Sequence, residues 1–409
     1  VLWRAGLLAL DRAAAPCNPT LMLTPALPYW RLCSFYLFYF ALLGATAPFL
    51  ALYLNHLGFS SARIGELVAI PMLMRCVAPN LWGWLGDYTG RRLAIVRFGA
   101  VCTLASFSLI FVSKTYAWLA LVMALHAFFW HAVLPQFEVI TLAHLQKNTA
   151  RYSQLRLWGS IGFILTVVIM GRVFDGLSLD IYPVVVVVIM AGIIGASLWV
   201  PNAQPATHGN RLAGEGFLTQ LRSPGVLAFY ACVALMQLSH GPYYTFLTLH
   251  LEQLGYSRGV IGMLWALGVV AEVLMFLAMS RILARFSVRR VLMASFLLAA
   301  VRWLLLGSFA EVFWVLLLSQ LMHAATFGSF HAAAVAFVQR SFGARQQGQG
   351  QALYAALSGT GGALGALYSG YSWNLLGPTL TFSIASIAAL AAAVIIGLRL
   401  QAPNQGTVQ

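Results

Sequence analysis

Charge is what this chain has least of. Only 8% of its 409 residues are charged and just 10 are acidic, whereas 61% are hydrophobic. A water-soluble domain carries about 25% charged residues, so a soluble globular protein is excluded. Cysteine is scarce as well. Cys17, Cys33, Cys76, Cys102 and Cys232 show no paired spacing, which excludes a disulfide framework and a cysteine metal cluster. The four that fall in apolar stretches, Cys33, Cys76, Cys102 and Cys232, read as small core residues. No two of the nine histidines stand four apart, the spacing that sets two metal ligands on one helix face, so no metal is expected. No nucleophile–base pair stands out, which argues against an enzyme, and no cofactor is implied. The Gly-rich stretch at 359–370 lacks the lysine of a phosphate loop and reads as a small-residue packing face.

Long apolar runs are what remains. About 20 apolar residues span a bilayer, and the chain accommodates twelve such runs, near 29–54, 62–85, 93–113, 116–143, 153–174, 181–200, 225–252, 258–284, 288–309, 312–340, 347–374 and 378–399. The fold class is therefore all-α and integral to a membrane. The net charge of +14 suggests nucleic acid only until the charges are placed. Counted from residue 22 onward, one set of loops holds fourteen Lys and Arg: Arg91, Arg92, Arg97, Lys147, Arg151, Arg211, Arg222, Arg281, Arg285, Arg289, Arg290, Arg340, Arg345 and Arg399. The opposite set holds four: Arg63, Lys114, Arg172 and Arg258. By the positive-inside rule the first set is cytoplasmic, with both termini inside, in an inner or plasma membrane. The charge is thus a topology signal, with contact to anionic lipid as a secondary role and no nucleic-acid partner. Residues 1–21 make neither a span nor a clean signal peptide and read as a disordered or untranslated extension, so that a chain starting at Met22 should insert normally.

The chain also repeats itself. LGFSSARIGEL at 57–67 matches LGYSRGVIGML at 254–264, and Arg91-Arg92 matches Arg289-Arg290 at nearly the same offset. Each anchor falls at the same place among the spans, which predicts two six-helix halves in the same orientation, at 22–200 and 225–399. Residues 201–224, rich in Pro, Gly and polar side chains, form the connecting cytoplasmic linker, and 400–409 a cytoplasmic tail.

Within so apolar a chain, charges inside spans mark a pathway or a site. Glu138, in FWHAVLPQFEVITLAHL, and Arg156, in RYSQLRLWGSIGF, lie on consecutive spans joined by a short polar turn, which lets them face each other. The pair could staple the two spans, or Arg156 could take a substrate carboxylate bidentately while Glu138 accepts from hydroxyls or holds Arg156. Pro135 removes a backbone hydrogen bond to His131 and loosens the helix beside Glu138. Glu272 stands in the apolar run ALGVVAEVLMF, where desolvation disfavours the carboxylate and suits a proton carrier; the competing reading is a glutamate neutralised by Arg302 or bonded to backbone. Of the histidines inside spans, most read as hydrogen-bonded helix contacts; His323 and His240 are the candidates to do more. Tyr36, Tyr39 and Tyr243 would suit an aromatic ligand if they face inward. Arg75 either lines the interior or pairs with Glu66.

The string Gly83-Trp-Leu-Gly-Asp87-Tyr-Thr-Gly90-Arg91-Arg92, between spans 2 and 3, resembles the signature loop of the major facilitator superfamily. Gly83 and Gly90 would allow close packing and a tight turn, and Asp87 would pair with a helix N-terminus or with the loop arginines. In the family this loop latches one half on the other in one of two alternating states. The second half keeps Arg289-Arg290 but has Arg285 where the Asp would stand. A narrower resemblance covers most of 29–399. Glu138, Arg156 and Gly159-Ser-Ile-Gly-Phe163 are similar to the span 4/5 region of the lactose permease group, where acid and arginine bind sugar hydroxyls. The segments 237–257, 266–276 and 348–370 resemble the phenylpropionate transporter-like branch of that group. On this resemblance Glu272, Arg302 and His323 occupy proton-coupling positions. Phe163 stands where the permease stacks a tryptophan on the sugar, and apolar residues with Thr326 replace its proton-carrying glutamate.

Together these features predict a secondary transporter working by alternating access, with proton-coupled symport of a small, aromatic organic acid through a monomer. Glu138, Arg156, Phe163, His240, Tyr243 and Tyr36 would bind substrate, and Glu272, Arg302 and His323 would couple protons. Oligosaccharide or nucleoside symport and drug efflux are the alternatives within transport, and a transport-dead sensor or scaffold the alternative outside it.

Overall fold

The computed structural model describes residues 27–146, 148, 151–203, 216–343 and 346–400. The predicted N-terminal extension, half of the linker and the tail lie outside them. The described chain is helical, in the order α1 (Tyr29–His56), α2 (Ser61–Thr89), α3 (Arg92–Ser108), α4 (Tyr116–Leu145), α5 (Tyr152–Gly176), α6 (Tyr182–Trp199), a short α7 (Phe217–Leu221), α8 (Pro224–Ser239), α9 (Gly241–Gln253), α10 (Arg258–Arg285), α11 (Val288–Phe309), α12 (Phe313–Leu321), α13 (Phe330–Ser341) and α14 (Gln347–Arg399). A π-helical turn, Ala324–Ser329, joins α12 to α13.

Ten of these runs are long and apolar enough to cross a membrane. Two local breaks account for twelve crossings. The 53 residues of α14 would reach about 80 Å as one rod, but Gly377 has φ 78° and ψ 171°, and Pro378 opens the next segment. Thr381 Oγ1 donates to Ser372 Oγ at 2.9 Å across that corner, so the chain doubles back. Both ends of α14 accordingly return to α8: Tyr230 donates to the Gly350 carbonyl at 2.9 Å, and Arg399 lies against Gly225. The second break is at His240, between α8 and α9. Pro242 has no N–H to give the carbonyl of Leu238, yet His240 keeps helical angles, so the two short helices make one span.

The internal repeat has a structural meaning. Gly58 and Gly255 both turn the chain at positive φ, 85° and 86°. Two residues later Ser60 and Ser257 cap α2 and α10, accepting the N–H of Arg63 and of Val260. The repeated string is therefore a turn-plus-cap that starts the second span of each half.

The halves meet along α2 with α14 and α5 with α10, where glycines bring backbones together. A Cβ on Gly65 would lie 2.6 Å from the Ala366 carbonyl oxygen, and one on Gly262 2.3 Å from that of Val167. At this end the helix termini complement each other. Asp175, from α5, accepts the N–H of Gly259 at 3.1 Å, in the positive first turn of α10. Arg258 donates back to the Phe174 carbonyl at 2.8 Å near the negative end of α5, and Tyr371 donates to Glu66 at 2.5 Å. Farther along α2 the Cys76 thiol reaches the Ala356 carbonyl of α14 at 3.2 Å.

Candidate functional site

Two groups of charged side chains occupy the middle of the bundle, one in each half. In the N-terminal half Arg156 Nε stands 3.6 Å from Glu138 Oε1, with each side chain 33% exposed. That separation is an ion pair rather than a hydrogen bond. Tyr152, one turn before Arg156, donates to the same carboxylate oxygen at 3.1 Å. The guanidinium lies 4.3 Å over the Phe40 ring and 5.6 Å from that of Tyr36. The short turn between α4 and α5 thus does what its length suggested, and Tyr152 is the partner that sequence reading missed.

The second group is a relay. His323, between α12 and the π turn, puts Nε2 3.6 Å from Glu272 Oε2 on α10. Its Nδ1 lies 3.1 Å from Arg302 Nη1 on α11. Arginine has no acceptor, so Nδ1 receives that bond, and the proton of a neutral ring sits on Nε2, facing Glu272. Glu272 is thus linked to Arg302 through the imidazole, which differs from direct neutralisation by Arg302. The fully buried Arg302 also donates to the Ser319 carbonyl at 2.7 Å and to Thr326 at 3.0 Å. Its guanidinium lies 4.3 Å over the Tyr243 ring. The π turn presents Thr326 to Arg302 just after His323, and such turns recur at functional sites.

The remaining binding candidates are deeper than expected. Tyr36 is buried and donates to Thr141 at 3.1 Å. Tyr243 is buried and donates to Gln320 at 2.9 Å. His240 is buried, with Nδ1 2.8 Å from the Met236 carbonyl oxygen and its ring edge-on to Trp303. Phe163 is buried, its backbone pressed against Gly44. In this conformation all four lie within packed layers, whereas Glu138, Arg156 and Glu272 reach solvent.

In the signature loop, Gly90 ends α2 at φ 65° as expected of a tight turn. Asp87 pairs with Arg92, the first residue of α3, whose Nη1 also donates to Gln136 at 2.5 Å; Gln136 in turn donates to the Trp82 carbonyl at 3.0 Å. Arg91 is exposed. Two expectations change here. Gly83 has open space around it, and the close approach falls instead to Gly86, where a Cβ would lie 2.4 Å from Gln136 Oε1. Glu66 does not pair with Arg75: nine residues apart on α2 they stand about 13.5 Å apart along the axis and on opposite faces, and Glu66 bonds instead to Arg63 at 3.3 Å and to Tyr371. Cys33, Cys76, Cys102 and Cys232 are free thiols, two buried and two partly so.

Residues 29–384 match the model of the family described as the MFS_1 like family. The chain belongs to that family, within the major facilitator superfamily. It is 27% identical over 361 residues to a probable 3-phenylpropionic acid transporter of Escherichia coli K12, covering 86% of this chain and 93% of that protein. It is 25% identical over 377 residues to the maltose permease of Geobacillus stearothermophilus, covering 89% and 93%. Among solved structures, the nucleoside transporter NupG superposes with a TM-score of 0.80 over 92% of this chain and 99% of that one, at 18% identity, a likeness of fold alone. This MFS protein is thus a multi-pass membrane transporter and not an enzyme.

Proposed function

We propose that this MFS transporter carries a small aromatic carboxylic acid together with protons, by alternating access, in the inner membrane with both termini cytoplasmic. The observation that carries the reading is the pair of ionisable groups facing the solvent-reached interior, one in each half: Glu138–Arg156 and Glu272–His323–Arg302. A charge at membrane depth is costly, by about 2.5–3.5 kcal/mol on insertion scales, and a merely structural bundle has no need of two such groups. With the basic loops inside, the end closed by Asp175, Arg258 and Glu66 is the outer one and the conformation is inward-facing. Residues 22–200 and 225–399 then rock as units about the interior, joined by the cytoplasmic linker 201–224. The signature loop, with Asp87, Arg91 and Arg92, latches the cytoplasmic side in the opposite state.

Glu138 and Arg156 contact the substrate from the N-terminal half. Tyr36, Phe163, His240 and Tyr243 form the layer behind the binding surface, from which they come into contact as the halves move. The relay couples protons through Glu272, because a second proton on His323 would have to displace the Arg302 bond at Nδ1. A monomer contains both groups and suffices. Similarity to the probable 3-phenylpropionic acid transporter supports an aromatic acid over a sugar, as does Phe163 at the sugar-stacking position.

The test is counterflow in proteoliposomes preloaded in turn with 3-phenylpropionate, maltose and uridine. Exchange of the acid alone is expected, with uphill uptake under an inward proton gradient. Exchange of maltose or uridine alone would replace the acid with a sugar or a nucleoside, and no exchange of any solute would favour a sensor.

A further inference from the structure

One cation in the middle of the membrane is absorbed by neither charged group. Arg75 is the central residue of the 29-residue α2. Among the described residues its guanidinium has no ion-pair or hydrogen-bond partner, and its side chain is exposed. Lipid does not explain that exposure. The exposed apolar residues Leu73, Val77, Leu81, Trp84 and Tyr88 recur along one face of α2, and at 3.6 residues per turn Arg75 falls on the opposite face. Its neighbours there are interior. The Pro71 carbonyl, one turn earlier, lies 3.0 Å from His131 Nε2 on α4. Met72 and Cys76 touch Gly359 on α14, and the Arg75 Cβ lies 3.5 Å from where a Gly359 Cβ would be. Arg75 therefore opens into the water-reached space between the halves.

The surroundings are aromatic from both sides. The charge of Arg75 is felt at Tyr39 and His131 in one half and at Tyr244, His331 and Tyr354 in the other. Tyr39 packs on Trp130 at 5.5 Å, and Trp130 on His131 at 5.5 Å. His331 Nδ1 lies 2.8 Å from the Tyr354 hydroxyl. Arg156, by contrast, is already matched by Glu138.

We propose that Arg75 is the anchor for the substrate's carboxylate, with the aryl group against the Tyr39 side, and that Arg156 with Glu138 reads the rest of the molecule. The inference rests on the aromatic-acid reading and refines it: the unmatched charge is one, so the substrate is a monocarboxylate. A bidentate guanidinium–carboxylate contact of this kind is worth about tenfold to hundredfold in affinity.

The experiment compares binding of 3-phenylpropionate and its neutral amide, by tryptophan fluorescence, to the full chain in nanodiscs. Wild type should prefer the acid. Arg75→Gln should lose that preference by about tenfold to hundredfold while binding the amide as before, which also shows that it is folded. Arg75→Lys should keep a weaker preference, and Arg156→Gln should leave the acid-to-amide ratio intact. An unchanged ratio in Arg75→Gln, or its collapse in Arg156→Gln instead, overturns the anchor and leaves the acid reading standing. Failure of wild type to bind the acid overturns both.

Discussion

Replacing Arg156 by Gln separates transport from stability, and the geometry sets the expected size of each. At 3.6 Å and an effective dielectric near 20, the bare attraction to Glu138 is about 4–5 kcal/mol. With both partners a third exposed, desolvation, side-chain ordering and screening reduce the net value to about 0.5–1 kcal/mol. The stacked Phe40 ring adds about 0.5–1 kcal/mol. A fully buried pair would instead cost about 3–5 kcal/mol on losing one partner. The variant should therefore express, purify as a monodisperse species, and melt only modestly below wild type.

Transport should suffer more. Loss of a charge-assisted contact to substrate costs about 1.5–3 kcal/mol, which corresponds to about tenfold to hundredfold in kcat/KM. Arg156→Lys should rescue little, because an ammonium can neither lie flat on Phe40 nor present the planar fork. Initial-rate uptake into proteoliposomes, normalised to incorporated protein, measures this directly. Uptake within twofold of wild type in Arg156→Gln would refute a substrate role and leave the pair as a staple between α4 and α5.

Four other variants probe separate parts of the molecule. Asp87→Asn removes the charge paired with Arg92; because Asp87 is exposed, the energy involved is about 1 kcal/mol or less, so turnover should slow several-fold with substrate affinity unchanged, and a collapse of affinity with normal cycling would contradict the latch. Glu272→Gln should abolish uphill uptake driven by a pH gradient while counterflow persists, with His323→Asn giving a milder defect; uphill uptake retained in Glu272→Gln would remove it as the carrier. Gly241→Ala places a Cβ 2.2 Å from the carbonyl carbon of Gly365, where backbone meets backbone and neither yields, so yield and Tm should fall by the equivalent of about 1–3 kcal/mol; unchanged stability would mean the crossing is looser than the structure has it.

What the sequence made legible and what it hid follow from how each contact arises. The repeated LGFSS and LGYSR strings were readable because a positive-φ glycine and a serine cap are local devices, and both recur with the same geometry. The Glu138–Arg156 pair was readable because a short turn forces consecutive helices together. Contacts made by three or more helices were not. His323 comes between Glu272 and Arg302 only because α10, α11 and α12 converge and a π turn re-aims the residues after His323, and no spacing in the chain encodes that convergence. Arg258, one of the four charges in the smaller loop set, packs with Asp175 where α5 meets α10, through a pairing of helix termini that belong to different halves. The case of Arg75 has the same cause. Sequence offered it Glu66 as a partner, on the same helix, but Glu66 bonds to Arg63 and to Tyr371 across the interface between halves. Nine residues along α2, Glu66 is also on the opposite face and out of reach, and the arginine is left facing the interior with its charge unmatched. In a chain with so few charges, which ones lack a partner is decided by packing between the halves, and those unmatched charges are where an ionic substrate has most to gain.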